Sequence, residues 1–426
     1  MSGETARIAE IAERLSTEIF SFLRWQILPV GLMNQNFKCV NQKIHRISKE
    51  KQITNLKAQF EQEIKNAEKE EQSQEQILEL KKLHADKLKK LKDSKIQDEE
   101  DESEDAVEEE DESEDAVEEE DESEEEKLSK QHPVDAVFYY QDPYENDLVY
   151  FNCDLKSYQD SSITSTSLRN TINSLANSVH CASQSEEWNN RYGRDFRGEV
   201  RGLLFLLNHD AKYNKNISNL FYDQKNPVEE QTVHIENLQL MPNQFIHIID
   251  PDTVRYLATI KKDVSTLMMD NKFPITPEDW YFFYPDLKRH RSSMAEDAPA
   301  TIEMLLGPFL MIKHKKFKPL HKPETSKEGF LIYYKCKGES KEEFMYFLDT
   351  LSSYQIFKEN QNIQVRLINK SHDEKAEENF NNAINEYIEC WNLNSSSIAI
   401  LKDIQFKIIE NLEERFLTKA ILYRDL

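Results

Sequence analysis

The sequence predicts an α/β fold in which a mixed β-sheet is flanked by helices. Three observations favour it: an amphipathic segment near the N-terminus, two β-type segments joined by a turn-rich loop, and a helical segment followed by an apolar strand. Helical and strand patterns that alternate in this way are typical of a sheet covered by helices.

The first element is an amphipathic helix, predicted over residues 4–28. Ile11, Leu15 and Ile19 recur at the spacing of one helix face. Pro29 follows, and a proline ends or kinks a helix because it lacks the backbone N–H and its ring clashes with the preceding turn. We therefore expect the helix to stop before Pro29 and to cover one face of the sheet.

The next elements are two predicted strands, at residues 135–140 and 148–156, joined by a loop at 142–147. β-branched and aromatic residues dominate both strands, whereas Asp, Asn and Pro occupy the loop. Side chains alternate between the two faces of a strand. Asp154 and Lys156 therefore share one face of the second strand, and its other face is apolar.

The predicted hairpin brings two carboxylates together. If Gln141 pairs with Leu148, Asp135 falls opposite Asp154, and directly opposed residues have Cβ atoms roughly 4.5–5.5 Å apart. When two carboxylates lie this close together, either the pKa of one of them rises or the pair binds a cation. Mg²⁺ prefers carboxylate oxygens and water as ligands. Lys156, on the same face, would stabilise a phosphate or position a nucleophilic water.

The remaining apolar sequence alternates between helix and strand patterns. A helix at residues 163–181 and a buried strand at 200–207 follow the hairpin. Further on, the pattern predicts an α+β region, with strands at 330–334 and 363–368, helices at 340–357 and 373–391, and a long terminal helix from Ser396 to about Leu422.

Composition divides the chain into five predicted segments. One is rich in Lys, Glu, Gln and Leu and predicts a helical or coiled-coil insertion. The next contains a repeated acidic sequence, with 22 acidic and no basic residues over 97–126, and such a segment cannot bury enough apolar surface to fold. The boundaries are 1–40 for the first helix of the core, 41–96 for the insertion, 97–131 for the acidic repeat, 132–225 for the core and 226–426 for the C-terminal region.

Charge and composition exclude several classes of protein. The net charge is −25, of which the acidic segment accounts for 22, so the rest of the chain is nearly neutral and a nucleic-acid partner remains compatible with it. The eight glycines form no nucleotide-binding loop and no nucleophile elbow. The five cysteines form no CxxC pair, which favours a reducing cytoplasm. No segment has the length and apolarity of a signal peptide or a membrane span.

The order of these elements resembles the PD-(D/E)XK nuclease superfamily, the restriction-endonuclease-like fold. The resemblance rests on Pro133-Val134-Asp135 and Asp154-Leu155-Lys156, and it covers residues 1–28 and 132–210. The extra Val134 and the long insertion at residues 40–131 depart from the family pattern. As the family implies, Asp135 and Asp154 would bind Mg²⁺ or Mn²⁺ and Lys156 would orient the attacking water.

The resemblance also implies a third carboxylate, from the first helix. Glu13 is the first candidate, because the apolar residues that follow it would place it at the edge of the buried face, and Glu10 is the alternative. The implied activity is metal-dependent hydrolysis of DNA, in restriction or anti-phage defence. An RNase on the same core is one alternative.

A basic cluster in the C-terminal region is the predicted nucleic-acid contact, with a solvated surface loop as the other interpretation. It comprises Lys313, Lys315, Lys316, Lys318 and Lys322. The alternative function from a different class is a non-catalytic assembly subunit that binds a protein partner through the coiled-coil arm or the C-terminal region. The oligomeric state is left open.

Overall fold

The computed structural model describes residues 3–28, 36–40, 81–82, 131–192, 198–222, 233, 235, 238–285, 296–318 and 326–410. The chain divides into two compact units, residues 1–3 with 38–132 and residues 4–37 with 133–426. In the first unit, Lys81 and Lys82 are helical. The rest of the predicted coiled-coil insertion and almost all of the acidic repeat lie outside the described residues.

The described helices and strands are numbered in chain order. The helices are α1 (Gly3–Phe22), α2 (Ser165–Ala182), α3 (Glu186–Tyr192), α4 (Asn219–Tyr222), α5 (Pro251–Met269), α6 (Ile302–Leu306), α7 (Lys341–Ser353), α8 (Ala376–Trp391) and α9 (Ser395–Lys402). The strands are β1 (Gln26–Ile27), β2 (Phe37–Lys38), β3 (Gln131–His132), β4 (Ala136–Gln141), β5 (Leu148–Tyr158), β6 (Glu199–Asn208), β7 (Ile246–Ile249), β8 (Trp280–Phe282), β9 (Phe309–His314), β10 (Gly329–Tyr334), β11 (Asn362–Leu367) and β12 (Gln405–Ile408).

The first sheet of the larger unit has the order β1-β4-β5-β6-β7. Strand β4 is antiparallel to both β1 and β5, whereas β6 runs parallel to both β5 and β7. Gln141 pairs with Leu148 and Ala136 with Cys153, so the predicted register of the hairpin is confirmed. The mixed sheet flanked by helices is confirmed with it.

Helix α1 covers one face of this sheet but is shorter than predicted. It ends at Phe22, Arg24 adopts a left-handed backbone with a φ of 64°, and β1 follows. The chain turns because Trp25 folds back on the helix, where its ring stacks on Phe20 at 4.6 Å and on Phe151 at 4.7 Å. The predicted end near residue 28 was wrong because apolar Trp25 and Ile27 continue the hydrophobic pattern inside a turn and a short strand.

Helix α2 covers the opposite face of the sheet. Its N-cap Thr164 accepts a hydrogen bond from the backbone N–H of Ser167, and the Ser167 hydroxyl closes a capping box. Gly202 of β6 allows the close approach, because a Cβ there would lie 2.4 Å from the Ile246 side chain and 3.1 Å from that of Leu175. The predicted helix at 163–181 and strand at 200–207 are thus confirmed.

The second sheet has the order β12-β11-β10-β9-β8. The predicted strands and helices between residues 330 and 391 are present, but the long terminal helix is not. The chain leaves α9 at Asp403 and enters β12, which pairs in parallel with β11. The prediction failed because Gln405-Phe406-Lys407-Ile408 alternates with the period of a strand and not of a helix.

One hydrophobic cluster joins the two sheets. Its buried members come from α1, β4, β5 and β6 and equally from α5, β8, β9 and β10. Helix α5 contributes a hydrogen bond from the Tyr256 hydroxyl to the Tyr333 carbonyl, at 2.7 Å. Among the described residues, no helix combines the length and the apolarity needed to cross a lipid bilayer.

Candidate active site

The site lies where the hairpin of β4 and β5 ends, beside the first residue of β4. Asp135 directly precedes β4, and its backbone N–H donates to the Cys153 carbonyl at 3.1 Å. The Asp135 carboxylate reaches across to β5 and accepts a hydrogen bond from the Leu155 N–H at 2.7 Å. The carboxyl groups of Asp135 and Asp154 lie close enough to interact, while the confirmed strand pairs of the hairpin end at Ala136 and Cys153.

Asp154 and Lys156 project from the same face of β5, two residues apart. The Lys156 Nζ lies 2.8 Å from Asp154 Oδ1, and the side chains are 37% and 17% exposed, respectively. The pair is thus open to solvent on the lysine side and largely enclosed on the carboxylate side. A molecule that approaches the face meets the ammonium first.

The electrostatics of the pair follow from this burial. Burial above all raises the pKa of Asp154 to about 6, and the Asp135 carboxyl adds to the rise while the Lys156 ammonium opposes it. Burial works to lower the pKa of Lys156, but the Asp154 carboxylate outweighs it and the pKa is raised. The lysine therefore stays protonated at neutral pH, next to a carboxylate whose charge is costly without a cation.

These residues fit a divalent metal ion. Two carboxylates converge, and the more buried one has a raised pKa because its negative charge is incompletely compensated. Carboxylate oxygens are the ligands that Mg²⁺ and Mn²⁺ prefer. Asp135 and Asp154 are therefore the residues that would hold the ion.

Two tyrosines lie on the same face of the hairpin. Tyr139 of β4 pairs with Tyr150 of β5, and their rings stack at 5.5 Å. The Tyr139 hydroxyl donates to the Gln26 side chain, and the Tyr150 ring packs edge-on against Trp188 of α3 at 5.8 Å. Tyr139 is partly exposed, and its pair with Tyr150 lies four residues along the hairpin from Asp154.

Asn152 of β5 supports the site by bonding to the helix that packs on this face of the sheet, a role that the sequence analysis missed. The residue is buried on the Asp154 face, and its Nδ2 donates to Ser178 Oγ of α2 at 2.7 Å. This bond ties the strand that carries Asp154 and Lys156 to the helix behind it. The available signal was a polar residue at a core position of an otherwise apolar strand.

No contact among the described residues links the predicted third carboxylate to this site. Glu10 and Glu13 are both exposed on α1, which packs on the opposite face of the sheet through Phe20 and Phe138 at 4.5 Å. Within the described part of the chain, neither glutamate forms a hydrogen bond or ion pair with Asp135, Asp154 or Lys156. Their role as ligands stays a prediction of the resemblance.

The predicted basic cluster is only partly at the surface. Lys313 is buried in β9 with its Nζ 5.4 Å from the Phe330 ring centroid, and Lys315 Nζ lies 2.7 Å from a Glu296 oxygen. Lys316 and Lys318 are exposed, and Lys322 lies outside the described residues. Because Lys313 is buried, it is not available to a partner at the surface. Contact with nucleic acid stays a prediction for the other lysines of the cluster.

The comparisons with known proteins agree with this geometry. Residues 107–253 match the family model of the GAPS4 protein PD-(D/E)XK nuclease domain. The matched segment contains Asp135, Asp154 and Lys156 and strands β4 to β7, and it stops in the first turn of α5. The comparisons with curated proteins and with solved structures gave no match. The resemblance to the PD-(D/E)XK superfamily is thereby confirmed.

Proposed function

We propose, from the match of residues 107–253 to the GAPS4 PD-(D/E)XK nuclease domain, that the chain hydrolyses phosphodiester bonds of DNA in a metal-dependent reaction. The observation that carries the proposal is the convergence of Asp135, Asp154 and Lys156 at one end of the hairpin. Two carboxylates and a protonated lysine supply a cation site and a cationic donor within one small surface.

Each residue has a distinct part in this reaction. Asp135 is held by the Leu155 N–H, and Asp154 by Lys156, so both carboxylates are oriented before substrate binds. The ion, when bound, supplies Lewis-acid chemistry and lowers the pKa of its water. The Lys156 ammonium donates to a phosphate oxygen, where it stabilises the negative charge that develops during attack.

The overall step is a hydrolysis. The water oxygen forms a new bond to phosphorus, the bond from phosphorus to one ester oxygen breaks, and a proton passes to that leaving oxygen. The resemblance adds Glu13, with Glu10 as its alternative, as a third metal ligand, and Glu13→Gln tests that assignment separately. Lys316 and Lys318 are the proposed surface contacts to the nucleic-acid backbone, because both are exposed.

We place this activity in restriction or anti-phage defence, the context that the resemblance implies and that the GAPS4 family match supports. The cytoplasmic location belongs to the same proposal and rests on the cysteine usage. A protein partner bound through the coiled-coil arm or the C-terminal region belongs to the same proposal. Loss of phage resistance in cells that express Asp154→Ala in place of the wild type would support the defence role. Unchanged resistance would contradict it and favour the assembly subunit.

The direct test is cleavage of plasmid, single-stranded DNA and RNA by the purified chain with Mg²⁺ or Mn²⁺. Asp154→Ala should abolish cutting, and Lys156→Ala should slow it by about a hundredfold or more, the usual effect of removing a charge-stabilising donor. Matched controls are Glu145→Gln in the exposed hairpin loop and Lys337→Ala, an exposed lysine paired with Glu339. Both should cut like the wild type.

The outcomes separate the candidate functions. Cutting of RNA alone would identify an RNase on the same core. Cutting that persists in Asp154→Ala would contradict the assignment of the site. No cutting by any form with any substrate or metal would contradict the proposal and favour the non-catalytic subunit.

A further inference from the structure

The two sheets of the larger unit have the same topology. In the first, β1 is antiparallel to β4, β4 is antiparallel to β5, and β5, β6 and β7 are parallel. In the second, β8 is antiparallel to β9, β9 is antiparallel to β10, and β10, β11 and β12 are parallel. In both, chain order and spatial order agree from the first strand to the last.

The helices occupy matching places in the two halves. Helix α1 precedes the first sheet in the chain as α5 precedes the second, and both contribute to the cluster that joins the sheets. Helix α2 connects the third and fourth strands of the first sheet and packs on the opposite face, as the bond from Asn152 to Ser178 shows. Helix α7 makes the same connection in the second sheet and packs against Tyr334 through Phe344 and Phe347.

Matching strands and faces identify the positions equivalent to the catalytic residues. Asp154 lies on the α2 face of the third strand, one residue past the last pair of Ala136 and Cys153, and its carboxyl group contacts that of Asp135. On the α7 face of β10, Tyr334 pairs with Phe309. Tyr334 and Phe309 therefore take the places of Asp154 and Asp135, and Cys336, two residues on, takes that of Lys156.

This correspondence does not depend on a single choice of register. A shift by one pair along the same face puts Ile332 opposite Met311, and these residues are also uncharged. The nearest carboxylate, Glu343, accepts hydrogen bonds from the Tyr334 hydroxyl and from the backbone N–H groups of Gly338 and Glu339. It holds the start of α7 in place and faces no second carboxylate among these contacts.

Aromatic packing fills the region where a metal would lie. The Tyr334 ring is 4.8 Å from Phe347 and 5.5 Å from Phe344, and the Phe309 ring is 5.5 Å from Phe347. These rings belong to the buried cluster on the outer face of the second sheet. A divalent cation requires several oxygen ligands, and the one carboxylate among these contacts, that of Glu343, already accepts hydrogen bonds from the Tyr334 hydroxyl and two backbone N–H groups.

We propose that the described parts of residues 251–408 form a second nuclease-like core without a metal centre, so that the described residues hold a single phosphodiester-cleaving centre. The second core instead supplies half of the hydrophobic cluster on which α1, and with it the catalytic hairpin, is packed. The identity of the first core's centre rests on the proposed function. The second core and its lack of a centre rest on strand topology and on the residues at the matching positions.

The test is to map metal sites on the full chain without any nucleic acid. Fe²⁺ replaces Mg²⁺, ascorbate and hydrogen peroxide generate radicals at the bound ion, and mass spectrometry locates the resulting backbone cuts. We expect cuts beside Asp135 and Asp154 in the wild type and in Tyr334→Phe, and none near Phe309 or Tyr334. Asp154→Asn should remove the cuts. Weak iron binding by the many carboxylates of residues 97–126 would give background cuts in that segment. Such cuts should remain in Asp154→Asn, which distinguishes them from cuts at the site.

Each outcome decides something different. Cuts near Phe309, Tyr334 or Cys336 that persist in Asp154→Asn would reveal a second centre and overturn the inference. Cuts at neither core would contradict the metal site of the proposed function, while the second core would still lack a centre as inferred. Cuts at the first core alone support both.

Discussion

At the scale of single residues, Asp154 is subject to two opposing requirements, because metal binding needs its ionised form and burial disfavours that form. Its carboxyl is largely enclosed and lies beside Asp135, so the ionised form that a metal needs is the form that the protein stabilises least. The position of this carboxyl and of Lys156 was predictable, because strand alternation and the turn at 142–147 determine the register. The supporting Asn152 was not, because a polar residue in a strand does not reveal its partner on a distant helix.

The raised pKa predicts that metal affinity depends on pH. Divalent cations bind the deprotonated carboxylate, and the pKa of Asp154 is about 6. We therefore expect the affinity for Mn²⁺, measured by calorimetry on the full chain, to fall as the pH is lowered through about 6. Asp154→Asn should show no comparable binding at any pH, and an affinity that stays constant down to about pH 4 would contradict the prediction.

The same pKa predicts a change in stability. Because the folded protein binds the Asp154 proton more tightly than the unfolded chain does, this group favours folding below the usual pKa, and the contribution is lost as pH rises through about 6. As the pH rises from about 4 to about 8, the unfolding free energy of the metal-free wild type should fall by up to about 3 kcal/mol relative to that of Asp154→Asn.

Denaturant unfolding in the presence of a chelator, at about pH 4 and about pH 8, measures this difference. Glu145→Gln, which removes an exposed carboxyl from the same hairpin, is the matched control. A gap between the wild type and Asp154→Asn that is equal at both pH values would count against the burial of Asp154 as described.

At the scale of elements, the bond between Asn152 and Ser178 joins β5 to α2. Ser178→Ala should leave the buried Asn152 Nδ2 without its acceptor, which costs about 1–3 kcal/mol. Denaturant unfolding at neutral pH measures the loss. The matched control is Ser183→Ala, which removes an exposed hydroxyl that bonds the His180 carbonyl just past the end of α2 and should reduce stability less. Equal losses of stability in the two variants would contradict a larger contribution from the buried bond.

The elements that the sequence failed to predict share a physical cause. Strand β1 has only two residues and follows the left-handed Arg24, so no alternation is long enough to reveal it. Strand β12 alternates as a strand does, but it has only four residues directly after a helix of eight, too few for the change of period to stand out. By contrast, β4, β5 and β6 were predictable because each is long and mostly apolar on at least one face.

At the scale of the whole molecule, a single centre predicts how a plasmid is cut. One centre hydrolyses one strand in each binding event, so supercoiled DNA should become open circular before any linear form appears. Agarose gels of a time course with the chain in excess would show this order. Linear DNA that forms without an open circular precursor, and at a rate independent of protein concentration, would contradict a single centre per chain.

The relation between the two cores could not be predicted from the sequence. Tyr334, Phe309 and Cys336 retain none of the chemistry of Asp154, Asp135 and Lys156, so no motif repeats. The 41–131 segment also separates β1 from β4, whereas the matching strands β8 and β9 are much closer in the chain. Only strand order and the faces that the helices cover reveal the correspondence.

The cluster that joins the sheets also sets the smallest piece of this chain that can fold. The nuclease match ends at residue 253, two residues after α5 begins, and it leaves out α1 entirely. A fragment cut at those limits would bare the apolar faces of β4, β5 and β6 to water, and we expect it to aggregate on expression. The matched segment contains the candidate site, but the buried cluster that packs on its sheet draws on residues from Ile11 to Ile368.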